Sequence, residues 1–112
     1  MSYDVYLSSP RCDKCGHFNV EVTIGNYTSN VSRMWTDALG MHMSELEAMT
    51  SEVAIPILDM AVERMNDPSN YDKYKAMEPS NGWGNFEGAR IYLTSILTEW
   101  RAHPWCRIVV SN

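Results

Sequence analysis

Two short stretches carry the residues with the most specific chemistry. Cys12 and Cys15 form C-x-x-C with Gly16 behind them, and His103-Pro104-Trp105-Cys106 repeats the spacing with an imidazole and a thiol. Two thiolates three residues apart can face one metal ion, and a glycine allows the tight turn that aims backbone amides at the sulfurs. The spacing predicts a zinc centre held by Cys12, Cys15, His103 and Cys106, with His17 competing for the imidazole position. Four protein ligands leave no open position for water, so such a zinc would be structural rather than catalytic. The competing reading is three ordinary thiols in a reducing compartment, where a stable disulfide is not expected. A redox role fits less well, because the βαβ setting of a thioredoxin-like C-x-x-C is missing.

A second pair of segments points to ligand chemistry. Gly25-Asn26-Tyr27-Thr28-Ser29-Asn30 and Ser80-Asn81-Gly82-Trp83-Gly84-Asn85-Phe86 each gather Asn, Ser, Gly and a large aromatic ahead of an expected helix start. Helix starts present unpaired amides and partial positive charge that can hold a phosphate or another anion. Tyr27 or Trp83 can stack on a ring, and asparagines both donate and accept at a base or ribose edge. The candidate ligand residues are Asn26, Tyr27, Ser29, Asn30 and Arg33 around the first segment, and Asn81, Trp83, Asn85 and Arg90 around the second. The same composition also serves local caps and turns, and neither segment is a P-loop or a G-x-G-x-x-G motif. His42, among Met41, Met43 and Met49, reads as a core-edge or surface histidine, and no spacing marks Asp4, Asp13 or Glu21 as a catalytic base.

These residues need elements to hold them. Tyr3, Val5 and Leu7 alternate with other residues, as do Phe18, Val20, Val22 and Ile24, which predicts a hairpin whose second strand stops at Gly25. Val31, Met34, Trp35 and Leu39 then share one helical face, with Ser29 or Asn30 as cap and Gly40 as the stop. Ser44 and Glu47 have the capping-box spacing, and an apolar stripe continues from Val53 to Met65 with a break near Ser51, while Pro56 must sit near a helix start or make a kink. Met41, Met43, Met49, Met60 and Met65 read as core filler, with a partner-binding groove as the alternative. Tyr71 to Met77 can make a turn or two, Asn85 caps a last helix from Phe86 to Trp100, and Arg107 to Ser111 closes as a strand. The expected class is α+β: a small antiparallel sheet, made of the N-terminal hairpin and the C-terminal strand, packed against three to four helices.

Composition bounds the partners. A chain of 112 residues, 45% hydrophobic and 21% charged, has the make-up of one soluble domain, read as residues 1–112. Nine Lys and Arg against fourteen Asp and Glu leave a charge of -5 with no basic stripe, so nonspecific nucleic-acid binding is not expected. MSYDVYLSS contains neither a basic cluster nor an apolar core of a signal peptide, and no long apolar run follows, so a cytoplasmic protein without a membrane partner is expected. A symmetric homodimer is a reasonable state for so small a domain.

The strings Asn26-Tyr27-Thr28-Ser29-Asn30-Val31-Ser32-x-Met34-Trp35 and Asn81-Gly82-Trp83-Gly84-x-Phe86-Glu87-Gly88-Ala89, with His103-Pro104 before a last strand, resemble a family of small proteins encoded by bacteriophages and some bacteria. The likeness runs from Asn26 onward and implies a phage context without an activity, cofactor or catalytic residue. Three functions stay open. The first is a non-enzymatic small-molecule binder that sequesters a nucleotide-like host signal between the two loops. The second is a zinc-stabilised module that binds a host or phage protein, and the third is a small enzyme acting at the same loops.

Overall fold

The alternation at the start of the chain becomes the middle of a sheet. In a computed structural model, which describes residues 2–8, 20–47 and 49–111, β1 (Ser2–Ser8) lies between β2 (Val20–Thr28) and β3 (Arg107–Ser111). Both pairings are antiparallel, with Tyr3 opposite Tyr27 in one and Leu7 opposite Ile108 in the other. Tyr3, Val5 and Leu7 are buried, as is Ile108, so the period-2 pattern turns one face of the sheet to the core. Gly25 does not end the second strand as expected. The register slips by one between Asp4 and Tyr6, so Ile24 and Gly25 together face Val5, and the strand passes through this bulge to Thr28.

The helical half begins at once. A 3-10 turn at Ser29–Val31 is capped by the Thr28 side chain, not by Ser29 or Asn30, and leads into α1 (Ser32–Leu39). Gly40 ends α1 with φ 75°, and its amide donates to the Thr36 carbonyl. The capping box also falls two residues earlier than the Ser44 and Glu47 spacing predicts: the His42 ring accepts from Ser44 N, the Glu45 carboxylate accepts from His42 N, and the box opens a 3-10 turn at Met43–Leu46. The expected break comes where α2 (Ser51–Asn66) starts, capped by Thr50, with Pro56 as its sixth residue. A 3-10 turn at Pro68–Asn70, the short α3 (Tyr71–Lys75) and α4 (Phe86–Ala102) complete the helices.

Trp35 of α1 joins the layers. Its ring makes edge contacts with Tyr3 of β1 and Tyr27 of β2 and lies 5.5 Å from Tyr92 of α4 between centroids. Its indole N–H donates to the Ala89 carbonyl at 3.2 Å, so the polar end of a fully buried ring is satisfied. The start of α2 is fastened to the turn that leads into β3. Ser51 N donates to the Cys106 carbonyl, Glu52 N to the Pro104 carbonyl and the Ser51 hydroxyl to the His103 carbonyl.

Around the start of α4, two glycines leave room for the Tyr27 and Thr28 side chains of β2. A Cβ on Gly88 would overlap the Tyr27 phenol, and one on Gly84 would crowd Thr28 at a residue whose φ of 94° already disfavours other residues. Gly88→Ala is therefore expected to lower unfolding free energy by about 1–3 kcal/mol, the usual cost of overpacking. Urea unfolding of the two proteins checks this, and a variant as stable as the parent would contradict the packing.

Candidate functional site

The two Asn-rich segments do meet, at the start of α4. Tyr27 Oη accepts from Asn85 N at 3.1 Å, its ring stacks on Tyr92, and Arg33 reaches across to donate to the Met77 carbonyl. Yet the polar groups expected to hold a ligand are turned to local work. Asn85 Oδ1 takes Gly88 N, Asn81 Oδ1 takes Trp83 N, and Asn30 Nδ2 donates to the Thr28 hydroxyl. Asn26 is exposed, Ser29 half-buried, and the Trp83 ring stands out in solvent at 68% exposure.

The anion expected at this helix start is a carboxylate of the chain itself. Glu78 Oε2 accepts from Phe86 N at 2.8 Å, and Lys75 Nζ lies 3.1 Å from Glu78 Oε1. The bond from Phe86 N, more than the lysine, holds the Glu78 carboxyl below its ordinary value. Sequence reasoning missed this residue, although an acid a few positions before a helix start, fixed by Pro79, is the available signal.

Arg90 leads elsewhere. One turn into α4 it enters a groove of about 470 Å³ between the end of α2, the Pro68–Asn70 turn, α3 and α4. Met65 and Phe86, both buried, form its apolar part with Pro68 and Tyr71. Phe86 is stacked on Tyr74 at 5.7 Å and 7°, and Tyr71 meets Phe86 edge-on while remaining 51% exposed. Asn66, Asp67, Glu87 and Arg90 supply the polar part. Arg90 Nη1 donates to Asn66 Oδ1 at 2.8 Å and Nη2 pairs with Glu87, so the guanidinium is held on both sides. Asp67 Oδ1 accepts from the Ser69 amide and hydroxyl, and these bonds hold the Asp67 carboxyl below its ordinary value.

Behind the aromatic wall the Tyr74 hydroxyl donates to Asp37 Oδ2 at 2.9 Å, and Lys73 Nζ lies 2.8 Å from the same oxygen. Burial, and then Asp37, push Tyr74 up to about 12, while the Lys73 hydrogen bond holds Asp37 down. Tyr74 thus stays protonated and Asp37 ionised around neutral pH, which suits a structural clamp on Phe86. The groove thus sets aromatic and apolar surface beside hydrogen-bonding groups, and the described residues that line it include no thiol, imidazole or serine.

Of the expected zinc ligands, Cys12, Cys15 and the competing His17 lie outside the described residues. Cys106 is buried, and His103 is half-buried with its ring edge-on to Trp105 and Nδ1 at 3.2 Å from the Glu99 carbonyl. Among the described residues no three His, Cys, Asp or Glu side chains converge on a metal position. His42 is exposed, with its ring between the Ser44 hydroxyl at 2.7 Å and the Tyr3 hydroxyl at 3.1 Å. Met60 is exposed on α2 where core spacing was expected, and Val53 stands exposed two turns before it. No helix among the described residues is long and apolar enough to cross a membrane.

The Glu78 arrangement sets a pH dependence. Because its folded value is depressed, its stabilisation is complete above the unfolded glutamate value of about 4.5 and is lost as pH falls through the lower folded value. Glu78→Gln is expected to melt below the parent at neutral pH, with the gap closing as the medium is acidified beneath the glutamate range. Thermal melts across pH check this, and a gap that stays constant would contradict it. Compared with protein families, with curated proteins and with solved structures, the chain matches none.

Proposed function

We propose that the protein binds a small planar molecule in the groove between α2, α3 and α4. The observation that carries this reading is the exposed Tyr71 ring set against buried Phe86, beside an Arg90 already fixed by Asn66 and Glu87. A volume of about 470 Å³ is that of a small-molecule cleft. Four apolar lining residues stand against four polar ones, so ring contact and hydrogen bonding are both available, and a side chain held in advance loses little entropy on binding. The nucleotide-like host signal expected at the two loops falls under this reading only through its planar base. A panel of nucleobases, nucleosides and aromatic amines is expected to contain compounds that raise the melting temperature. Tyr71→Ala should abolish that rise while changing the stability of the unliganded protein by only about 1 kcal/mol, the scale of one aromatic pair. A panel with no active compound, or a rise that survives the substitution, would refute the proposal.

A second reading concerns zinc, and the sheet register favours it. The β1–β3 ladder reaches Ser8 opposite Arg107, so Cys106 is the next residue along one strand, while on the other the chain is four residues from Cys12. Native mass spectrometry of gently purified protein is expected to show one zinc increment that acid removes and that Cys12→Ser lacks. A bare mass would dismiss the metal and the zinc-stabilised interaction module with it.

A further inference from the structure

We infer that the groove selects a protonated amine carried on an aromatic or apolar body, in preference to a phosphate or carboxylate. The inference rests on the groove being the binding site and specifies what enters it. Its rim bears two carboxylates, Asp67 and Glu87, against one guanidinium, so one negative charge is in excess. That guanidinium is committed: Nη1 donates to Asn66 and Nη2 to Glu87, and a ligand anion would have to displace Glu87 to gain a two-pronged contact. The carboxylates are less fully used. Asp67 accepts both Ser69 bonds on Oδ1 and Glu87 accepts from Arg90 on Oε1, so the second oxygen of each has no hydrogen bond among the described residues. Such oxygens ask for donors, and an ammonium brings three.

The aromatic wall favours the same charge. Ring faces carry negative electrostatic potential, and Lys73 Nζ already lies 5.5 Å from the centroid of Tyr74, the ring stacked on Phe86. Tyr71 offers a comparable ring at the open side of the cluster. The net charge of -5 draws cations towards the surface as a whole. The start of α4 beside the groove has the Glu78 carboxylate on its first amide, where a phosphate would have to displace it.

A matched series isolates the charge: phenethylamine, phenethyl alcohol and hydrocinnamate share a ring and nearly a length, and differ in being cationic, neutral and anionic. Titrations at low ionic strength, followed through the Tyr71 ring and Arg90 side-chain NMR signals, are expected to rank them amine, alcohol, carboxylate. The amine should bind about five- to tenfold more tightly than the alcohol, as one partly screened ion pair allows. High salt should shrink that ratio. In the Asp67→Asn, Glu87→Gln double variant the amine and the alcohol should bind equally, whatever affinity they then share, and asparagine at position 67 keeps the cap of the Pro68–Asn70 turn. A carboxylate that binds as tightly as the amine, or a ratio that survives the double substitution, overturns the charge assignment and leaves the groove as a binding site. No response from any of the three overturns the groove reading together with it.

Discussion

A helix of only about two turns carries the structure. α1 has eight residues, too few to be stable alone, and it persists because Trp35, Asp37 and Ala38 are each claimed by a different element. Trp35 binds both long strands and α4, Asp37 takes the Tyr74 hydroxyl and the Lys73 ammonium of α3, and the Ala38 carbonyl accepts from Arg64 of α2 at 2.6 Å. The groove inherits this dependence. Tyr74 is held by Asp37, Phe86 lies flat against Tyr74, and Tyr71 stands on Phe86, so the exposed wall is three contacts away from α1.

Both long helices that follow α1 start against groups supplied by other parts of the chain. The first amides of α2 find the carbonyls of the His103–Cys106 turn, and the first amides of α4 find Tyr27 and Glu78. Orphan amides at a helix start must be satisfied somewhere, and here each solution also ties distant sequence together. The chemistry follows from that choice. With the start of α4 closed by a phenol and a carboxylate, what stays open is the flank of the helix, where Glu87 and Arg90 lie opposite Asn66 and Asp67.

Periodicity carried most of the architecture. Tyr3, Val5 and Leu7, the apolar face of α4, Asn85 as its cap and the closing strand all read from spacing, because burial on one face imposes it. Local punctuation was less reliable. Gly25 looked like a stop and is a bulge, since a glycine tolerates either use and only the neighbouring strand decides between them. Ser44 looked like a cap and is preceded by one, because the His42 ring can accept an amide as a hydroxyl does. The groove was legible only through Arg90. Its partner Asn66 is twenty-four residues away, and nothing in either segment announces the other until α2 and α4 lie side by side.

The sheet has one mechanical property that follows from its strand order. β3 runs antiparallel to β1, with Ser111 opposite Asp4, so the start of β1 and the finish of β3 lie at the same end of their ladder. A pull on the chain beyond these residues would load the β1–β3 ladder from one end and open its hydrogen-bonded pairs in succession, not all together in shear. The rupture would travel towards Ser8 and Arg107 and then reach the carbonyls that cap α2. Tension on this end would thus be felt first by the sheet and only afterwards by the helical layer that holds the groove.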